Sequence, residues 1–281
     1  MAYKDLLVVL DADQSTGERI SVAATLAARF EAHLVGLYVA MPPARRAEYA
    51  LLDIGILDIP YLTNPEKSRE RVETTRALFE DVTARQKVSA EWRLASGYPA
   101  GTAALHGRYA DLITLGQLDP YDGQVDLLRA RPEEVAMLAG RPVLVVPYAG
   151  HFDRVGRRVV IGWDASREAA RAVNDAMRLL AGAEVVTVLT IDPEQTPYGH
   201  GEIPGADIAL HLARHGVKAQ VERTVSAGIG VGNTLLSRAA DLEADLLVMG
   251  AYGHSRVREL LLGGATRTVL TSMTLPVLMS H

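Results

Sequence analysis

The chain is written twice. Lys4-Asp-Leu-Leu-Val-Val-Leu-Asp11 recurs as Arg158-Val-Val-Ile-Gly-Trp-Asp164: a basic residue, an aliphatic run and an aspartate at its end. An alanine-rich amphipathic segment follows each, Glu18–Phe30 and Arg167–Leu180, and then a second aliphatic run, His33–Val39 and Glu184–Ile191. Further on, Ala110-Asp-Leu-Ile-Thr-Leu-Gly116 matches Ala244-Asp-Leu-Leu-Val-Met-Gly250, and Arg141-Pro-Val-Leu-Val-Val-Pro147 matches Leu275-Pro-Val-Leu-Met279. Anchors in one order in both halves require two copies of a single plan.

That plan alternates strand and helix, ending on a fifth strand. Helices at Glu66–Arg85 and Ala206–His215 precede third strands at Ala90–Leu94 and Ala219–Val225. The runs are Val/Leu-rich without clean alternation, the pattern of strands covered on both faces. Alternating helices and such strands predict two α/β domains, each a doubly wound, five-stranded parallel sheet with helices on both faces. With 281 residues the chain suits two domains of about 140 each. Pro147, Gly150 and Gly156 interrupt the pattern near Tyr148–Arg157, so the expected domains are 1–148 and 157–281. Met41–Pro65 is a long connection for a compact domain, read either as a lid or partner-binding loop or as a packed surface excursion.

Composition excludes several functions. Net charge is −5, and acids outnumber bases in both halves, so the excess positive charge of a nucleic-acid binder is missing. With no cysteine, thiolate catalysis and disulfides drop out together, as suits a reducing compartment. The apolar run at the N-terminus ends at Asp11, too short for a signal sequence, and no stretch approaches the ~18–20 apolar residues of a membrane span. A soluble, cytoplasmic protein with no membrane or nucleic-acid partner is expected.

The chemistry points to the end of the second half. After the strand Asp245–Met249 comes Gly250-Ala-Tyr-Gly253, then nine residues, then Gly263-Gly264-Ala-Thr266 and a helix-like segment. Glycines that leave a strand and open a helix let backbone amides approach an anion, most often phosphate. Gly250 and Gly253 would permit a tight turn with φ > 0. Amides at Gly264, Ala265 and Thr266 would face the crevice, Thr266 adding a hydroxyl, with His254, Ser255 and Arg256 placed to reach outer phosphates. Leu260-Leu-Leu262 reads as packing and Arg258 as a solvated charge.

Ligands of open α/β sheets bind beyond the C-terminal strand ends. Asp164 sits at such an end, able to accept from a ribose hydroxyl or adenine amine, or else to cap the following helix with Ser166. Gly228-Ile-Gly230-Val-Gly232 also follows a strand, and Asn233 is the expected N-cap of a helix at Asn233–Leu242. That loop is either a ligand contact or a turn. Neither Gly-x4-Gly-Lys-Ser/Thr nor Gly-x-Gly-x-x-Gly nor Gly-x-Ser-x-Gly appears. Asp207, His211 and His215 share a helix face, but without further ligands a solvated or capping role outweighs metal binding.

Together these features resemble the universal stress protein family in a tandem two-domain form, over nearly the whole chain. Gly250, Gly253 and Gly263 fall in register with the Gly-x2-Gly-x9-Gly-Ser/Thr pattern of its ATP-binding members; Gly264 stands where Ser or Thr is usual. The resemblance implies ATP, with magnesium held by its phosphates, between Asp164 and Gly250–Thr266, with Gly228 and Gly230 in contact. It also implies pairing of last strands, Val143–Val146 with Val277–Met279, as an internal pseudo-dimer; a further homodimer stays open. The first half departs: Gly116-Gln-Leu-Asp-Pro120 lacks the second glycine, and Leu127–Pro132 replaces the phosphate glycines. Asp11 survives there, in a copy that does not hold a triphosphate.

Nothing in the loop supplies a base to orient water. The expectation is a stress-response regulator that binds ATP or a related adenine nucleotide, with at most slow hydrolysis or self-phosphorylation on Ser255 or Thr266. The alternatives are a nucleotide-free interaction or scaffold protein and a binder of another small metabolite, lipid-like for instance, in domain 1.

Overall fold

Aliphatic runs become strands, and the runs with most Val and Leu become the central ones. In the computed structural model, which describes residues 3–40, 42, 65–119, 129–193, 203–251 and 264–281, ten strands and eight helices alternate. In the first part of the chain they are β1 (Asp5–Leu10), α1 (Thr16–Phe30), β2 (His33–Ala40), α2 (Pro65–Arg85), β3 (Ala90–Ser96), α3 (Pro99–Gly107), β4 (Leu112–Gly116), α4 (Pro132–Ala139) and β5 (Val143–Val146). The second part has β6 (Arg158–Gly162), α5 (Arg167–Leu180), β7 (Val185–Ile191), α6 (Ala206–Arg214), β8 (Ala219–Thr224), α7 (Val231–Asp241), β9 (Leu246–Gly250), α8 (Gly264–Ser272) and β10 (Val277–Ser280). The α/β fold expected from the alternation is the fold observed. The Met41–Pro65 connection lies outside the described residues, save Pro42 and Pro65.

The chain divides into two compact units, Ala2–Ala139 and Gly140–His281. In the first the strand order is β3-β2-β1-β4, all parallel. In the second it is β5-β10-β9-β6-β7-β8, parallel except for β5. The division falls before β5, ahead of the Tyr148–Arg157 segment, because β5 takes its ladder partner from β10. The two strands run antiparallel, with Val145 opposite Val277 and Val143 opposite Met279. This is the last-strand pairing the family resemblance implies.

Burial follows position in the sheet. Residues of β4, β5 and β10 are buried throughout, whereas the edge strands β3 and β8 are half-exposed. α5 turns Ala169, Ala172, Val173, Ala176, Leu179 and Leu180 into the core, a continuous stripe at helical spacing. α2 is more polar and is held mainly by Phe79, which packs over Gly36 of β2. A Cβ at Gly36 would come within 2.7 Å of that ring.

The repeated Ala-Asp-Leu motif has a structural duty. Asp111 Oδ2 accepts from the backbone amides of Lys4 (2.7 Å) and Asp5 (3.3 Å), at the start of β1. Asp245 does the same for β6, its Oδ1 accepting from Gly156 (2.8 Å), Arg157 (2.9 Å) and Arg158 (3.1 Å). Each aspartate thus fixes the register between two neighbouring parallel strands from their N-terminal ends. Asp245→Ala strands three amides and is expected to lower stability by about 1–3 kcal/mol, whereas Asp245→Asn, which keeps an acceptor, loses less. Urea unfolding of the two variants separates these outcomes.

Candidate functional site

Beyond the C-terminal strand ends, the position where open α/β sheets bind ligands, the second unit presents the 164–166 segment after β6, the 226–230 turn after β8 and the start of α8. After β6 the chain passes through Asp164 and Ala165, which takes a left-handed conformation (φ 59°), into α5. Ser166 is the N-cap: its hydroxyl accepts from the Ala169 amide at 3.1 Å. Asp164 supports that cap, Oδ1 accepting from the Ser166 amide (3.0 Å) and hydroxyl (2.6 Å). The capping duty weighed for Asp164 is therefore real, and it leaves the side chain exposed at the strand end.

After β8 the chain turns through Ser226–Gly230. Asp192, at the end of β7, anchors this turn, both carboxylate oxygens accepting from the Ser226 amide at 3.1 and 3.2 Å. Hydrogen bonding from Ser226 holds the Asp192 carboxyl below its ordinary range. Sequence reasoning passed over Asp192; its signal is an aspartate directly after an aliphatic strand, as at Asp11 and Asp164. Gly228 (φ 84°) and Gly230 (φ 85°) are exposed, left-handed, and have open space where a Cβ would stand. Gly230 is the N-cap of α7, which begins at Val231 instead of Asn233. A glycine with φ > 0 lets the chain enter the helix two residues sooner than a side-chain cap at Asn233 would. The Asn233 amide instead donates to the Ile229 carbonyl at 2.9 Å.

Gly232 joins this turn to α8. A Cβ there would lie 2.7 Å from Cβ of Thr268 and 2.9 Å from the Ala265 carbonyl, so α7 and α8 touch through a missing side chain. The contact brings the exposed turn 226–230 beside the first turn of α8. Gly264 opens that helix exposed, and among the described residues nothing lies within 4 Å of where its Cβ would stand; Ala265 is half-buried and Thr266 is buried (3 % exposed). The exposed part of the helix start is thus Gly264 and Ala265.

Gly250 serves differently from expectation. It is not among the glycines with positive φ. A Cβ there would sit 2.6 Å from the Ala169 amide nitrogen and 2.7 Å from the carbonyl carbon of Glu168. Gly250 therefore lets the N-terminus of α5 close onto the end of β9, a matter of packing and not of turn conformation. Gly253, His254, Ser255, Arg256 and Gly263 lie outside the described residues. His211 of α6 and its C-cap His215 lie with ring centroids 4.7 Å apart, tilted by 55°, and among the described residues no three acidic or histidine side chains are placed to hold a metal.

The equivalent position of the first unit is occupied from within. Asp11 Oδ1 accepts from Arg19 Nη1 (3.2 Å) and Oδ2 from Arg129 Nε (3.1 Å). Asp13 takes Arg19 Nη2 (2.8 Å), Arg129 Nη2, and the hydroxyls of Ser15 and Thr16 at 2.9 Å each. Arg19 also donates to the Val9 carbonyl at 2.9 Å. Both arginine side chains are 2 % exposed. Burial pushes the Asp11 carboxyl up, but the two guanidinium charges outweigh it and hold the carboxyl well below the usual carboxylate range. Gly116, read as a remnant of a phosphate turn, makes room for this cluster: a Cβ there would come within 2.3 Å of Arg19 Nη2. Arg19 and Asp13 were not picked out from sequence, although an arginine beside the apolar stripe of α1, eight residues after Asp11, was the available sign.

Comparison with known proteins bears on the fold and on the C-terminal unit. Residues 156–281 match the model of the universal stress protein family. A universal stress protein of Synechocystis sp. is 29% identical over 157 residues, 54% of this chain and 50% of that protein, so the match spans half the length of the curated relative. Over 98% of this chain and 95% of the other, the fold matches a universal stress protein from Archaeoglobus fulgidus with a TM-score of 0.73 at 16% identity. A functionally unknown protein from Pseudomonas aeruginosa matches over 99% of this chain and 92% of its own, with a TM-score of 0.60 and 16% identity. The C-terminal unit thus matches the universal stress protein family model, and the full length of the chain shares the α/β fold of these solved structures.

Proposed function

We propose that the C-terminal unit binds an adenine nucleotide, ATP with its magnesium ion, and that the protein acts as a stress-response regulator and not as a fast enzyme. The observation that carries this reading is the meeting of two open backbone surfaces. The left-handed glycines Gly228 and Gly230 lie beside the exposed start of α8 at Gly264 and Ala265, joined through Gly232. Amides at a helix N-terminus favour a phosphate group, and glycines permit its close approach. Gly264 and Ala265 would hold phosphate, Gly228 and Gly230 the phosphate or ribose, and Asp164 the ribose or adenine edge. Gly250 would keep the crevice shut at its base; Gly253, His254, Arg256 and Gly263 complete the set by sequence register, and Thr266, buried, would act through its amide. Magnesium would offset phosphate charge, since only Arg256 among the proposed contacts carries a full positive charge.

Calorimetric titration of the nucleotide-stripped protein with magnesium-ATP is the test. Saturable binding near one ATP per chain is expected, and Gly253→Val should abolish it with the circular dichroism spectrum unchanged. Binding that survives the bulky valine would remove the loop from the site. A second reading, a nucleotide-free interaction protein, draws on one fact: Asp164 Oδ1 is already engaged by Ser166. Under that reading neither heat nor thermal stabilisation appears at millimolar ATP.

A further inference from the structure

We propose that the N-terminal unit carries a ligand site of its own, for a molecule with an apolar body and a single anionic head group. A cavity of about 400 Å³ opens at the C-terminal ends of β1–β4, within the size range of small-molecule sites. Its walls are aliphatic and aromatic: Tyr38 and Val39 of β2, Leu94 of β3, Leu115 of β4, Leu118 beyond it, and Val72 of α2. Asp11, Arg19 and Arg129 form the polar floor.

Chemistry selects the ligand. In the floor, Asp11 and Asp13 face Arg19 and Arg129, so the cluster sums to zero. Both oxygens of Asp11 already accept from arginine, and a ribose or adenine donor would have to displace a buried ion pair. A triphosphate would bring several negative charges against two carboxylates, Asp11 half-buried and Asp13 buried. The floor therefore rejects a nucleotide, and the aliphatic walls favour an apolar body. The remaining charges in the lining come from α2: Arg69 and Glu73, both exposed, and Arg71, half-buried, with one Nη donating to the Ala12 carbonyl at 3.1 Å. Among the described residues these three sum to a single positive charge at the rim. A carboxylate or sulfonate matches it; a polyanion or a cation does not. This site is independent of the nucleotide reading of the second unit.

A matched probe pair tests the proposal on the full chain, in saturating magnesium-ATP. 8-Anilinonaphthalene-1-sulfonate and N-phenyl-1-naphthylamine share one apolar body, and only the first carries a charge. The sulfonate is expected to bind at one per chain, about tenfold tighter than the neutral probe, the scale of one charge-assisted contact. Arg69→Gln, a change at an exposed residue, should erase most of that difference while leaving the neutral probe unaffected. Ala40→Trp, which fills the cavity, should weaken both probes at least tenfold, with far-ultraviolet circular dichroism showing the fold retained. Equal affinities for the two probes would overturn the anionic head group. Undiminished binding to folded Ala40→Trp, or displacement of the sulfonate by ATP in a titration begun without nucleotide, would overturn the site.

Discussion

Asp13→Ala is expected to destabilise the N-terminal unit by about 3–5 kcal/mol, the range measured when one partner of a buried ion pair is removed. The size follows from what is left behind. The Asp13 side chain is 3 % exposed and faces both Arg19 and Arg129, each 2 % exposed, so its loss removes one of the two carboxylates that balance these buried guanidinium groups. Ser15 and Thr16 lose an acceptor at the entry to α1 as well. The Arg19 Nε is already buried without a hydrogen bond, so the cluster has no slack to absorb the change. Replacing the four charged residues together by apolar ones of similar volume should recover much of the loss, because the desolvation penalty leaves with the charges. Urea unfolding of the two variants is the check; equal losses would mean that packing, not charge pairing, holds this region.

The same cluster sets an acid limit. The carboxyl of Asp11 is depressed in the folded state, so its contribution to stability is fully present above the unfolded carboxylate value of about 3.9 and is lost as pH falls towards the folded one. Asp11→Asn should therefore flatten the fall in stability below about pH 4, with little change in the shape of the curve near neutrality.

Gly250→Ala is expected to lower the stability of the C-terminal unit by about 1–3 kcal/mol or more, the scale of overpacking a tight interior. One methyl group there must enter a space 2.6 Å from a backbone nitrogen and 2.7 Å from a backbone carbon of α5. Neither atom can rotate away, so the helix start has to move off the end of β9. Because Ser166 and Asp164 form that start, nucleotide affinity should fall with stability. Gly264→Ala is the contrasting case: among the described residues its Cβ meets nothing within 4 Å, and stability should change by a few tenths of a kcal/mol at most. Gly264→Ser should be equally well tolerated and, by supplying a hydroxyl at the helix start, should tighten magnesium-ATP binding several-fold. Thermal unfolding with and without ATP reads both effects. A harmless Gly250→Ala would show that α5 does not pack as tightly as its backbone distances require.

Much of the architecture could be read from residue order. Aliphatic runs became strands and amphipathic segments helices, and α5 spans Arg167–Leu180, the bounds of the amphipathic segment read from the sequence. Boundaries slipped where a backbone conformation and not a pattern decides them. Gly230 starts α7 ahead of Asn233 through a positive φ that side-chain preference does not register. β5 belongs by hydrogen bonding with β10, a partner more than a hundred residues away.

For the candidate site, residue order marks the C-terminal edge of a parallel sheet, through repeated aspartates after aliphatic strands and glycines before helices. It also marked the first copy as the divergent one, because the glycines are missing there. What those residues do was settled by three-dimensional packing. Gly250 and Gly116 look alike in the repeat, yet one admits a helix start and the other a guanidinium group. Asp11 and Asp164 look alike too, but one is locked by two arginines and the other stands exposed beside its cap. Periodicity reports which face of an element is apolar, since that depends on neighbours three, four or two places along the chain. Whether a glycine is filled, or an aspartate already paired, depends on atoms brought from Arg19, Arg129 or Glu168 by the fold, and only the assembled tertiary structure puts them there.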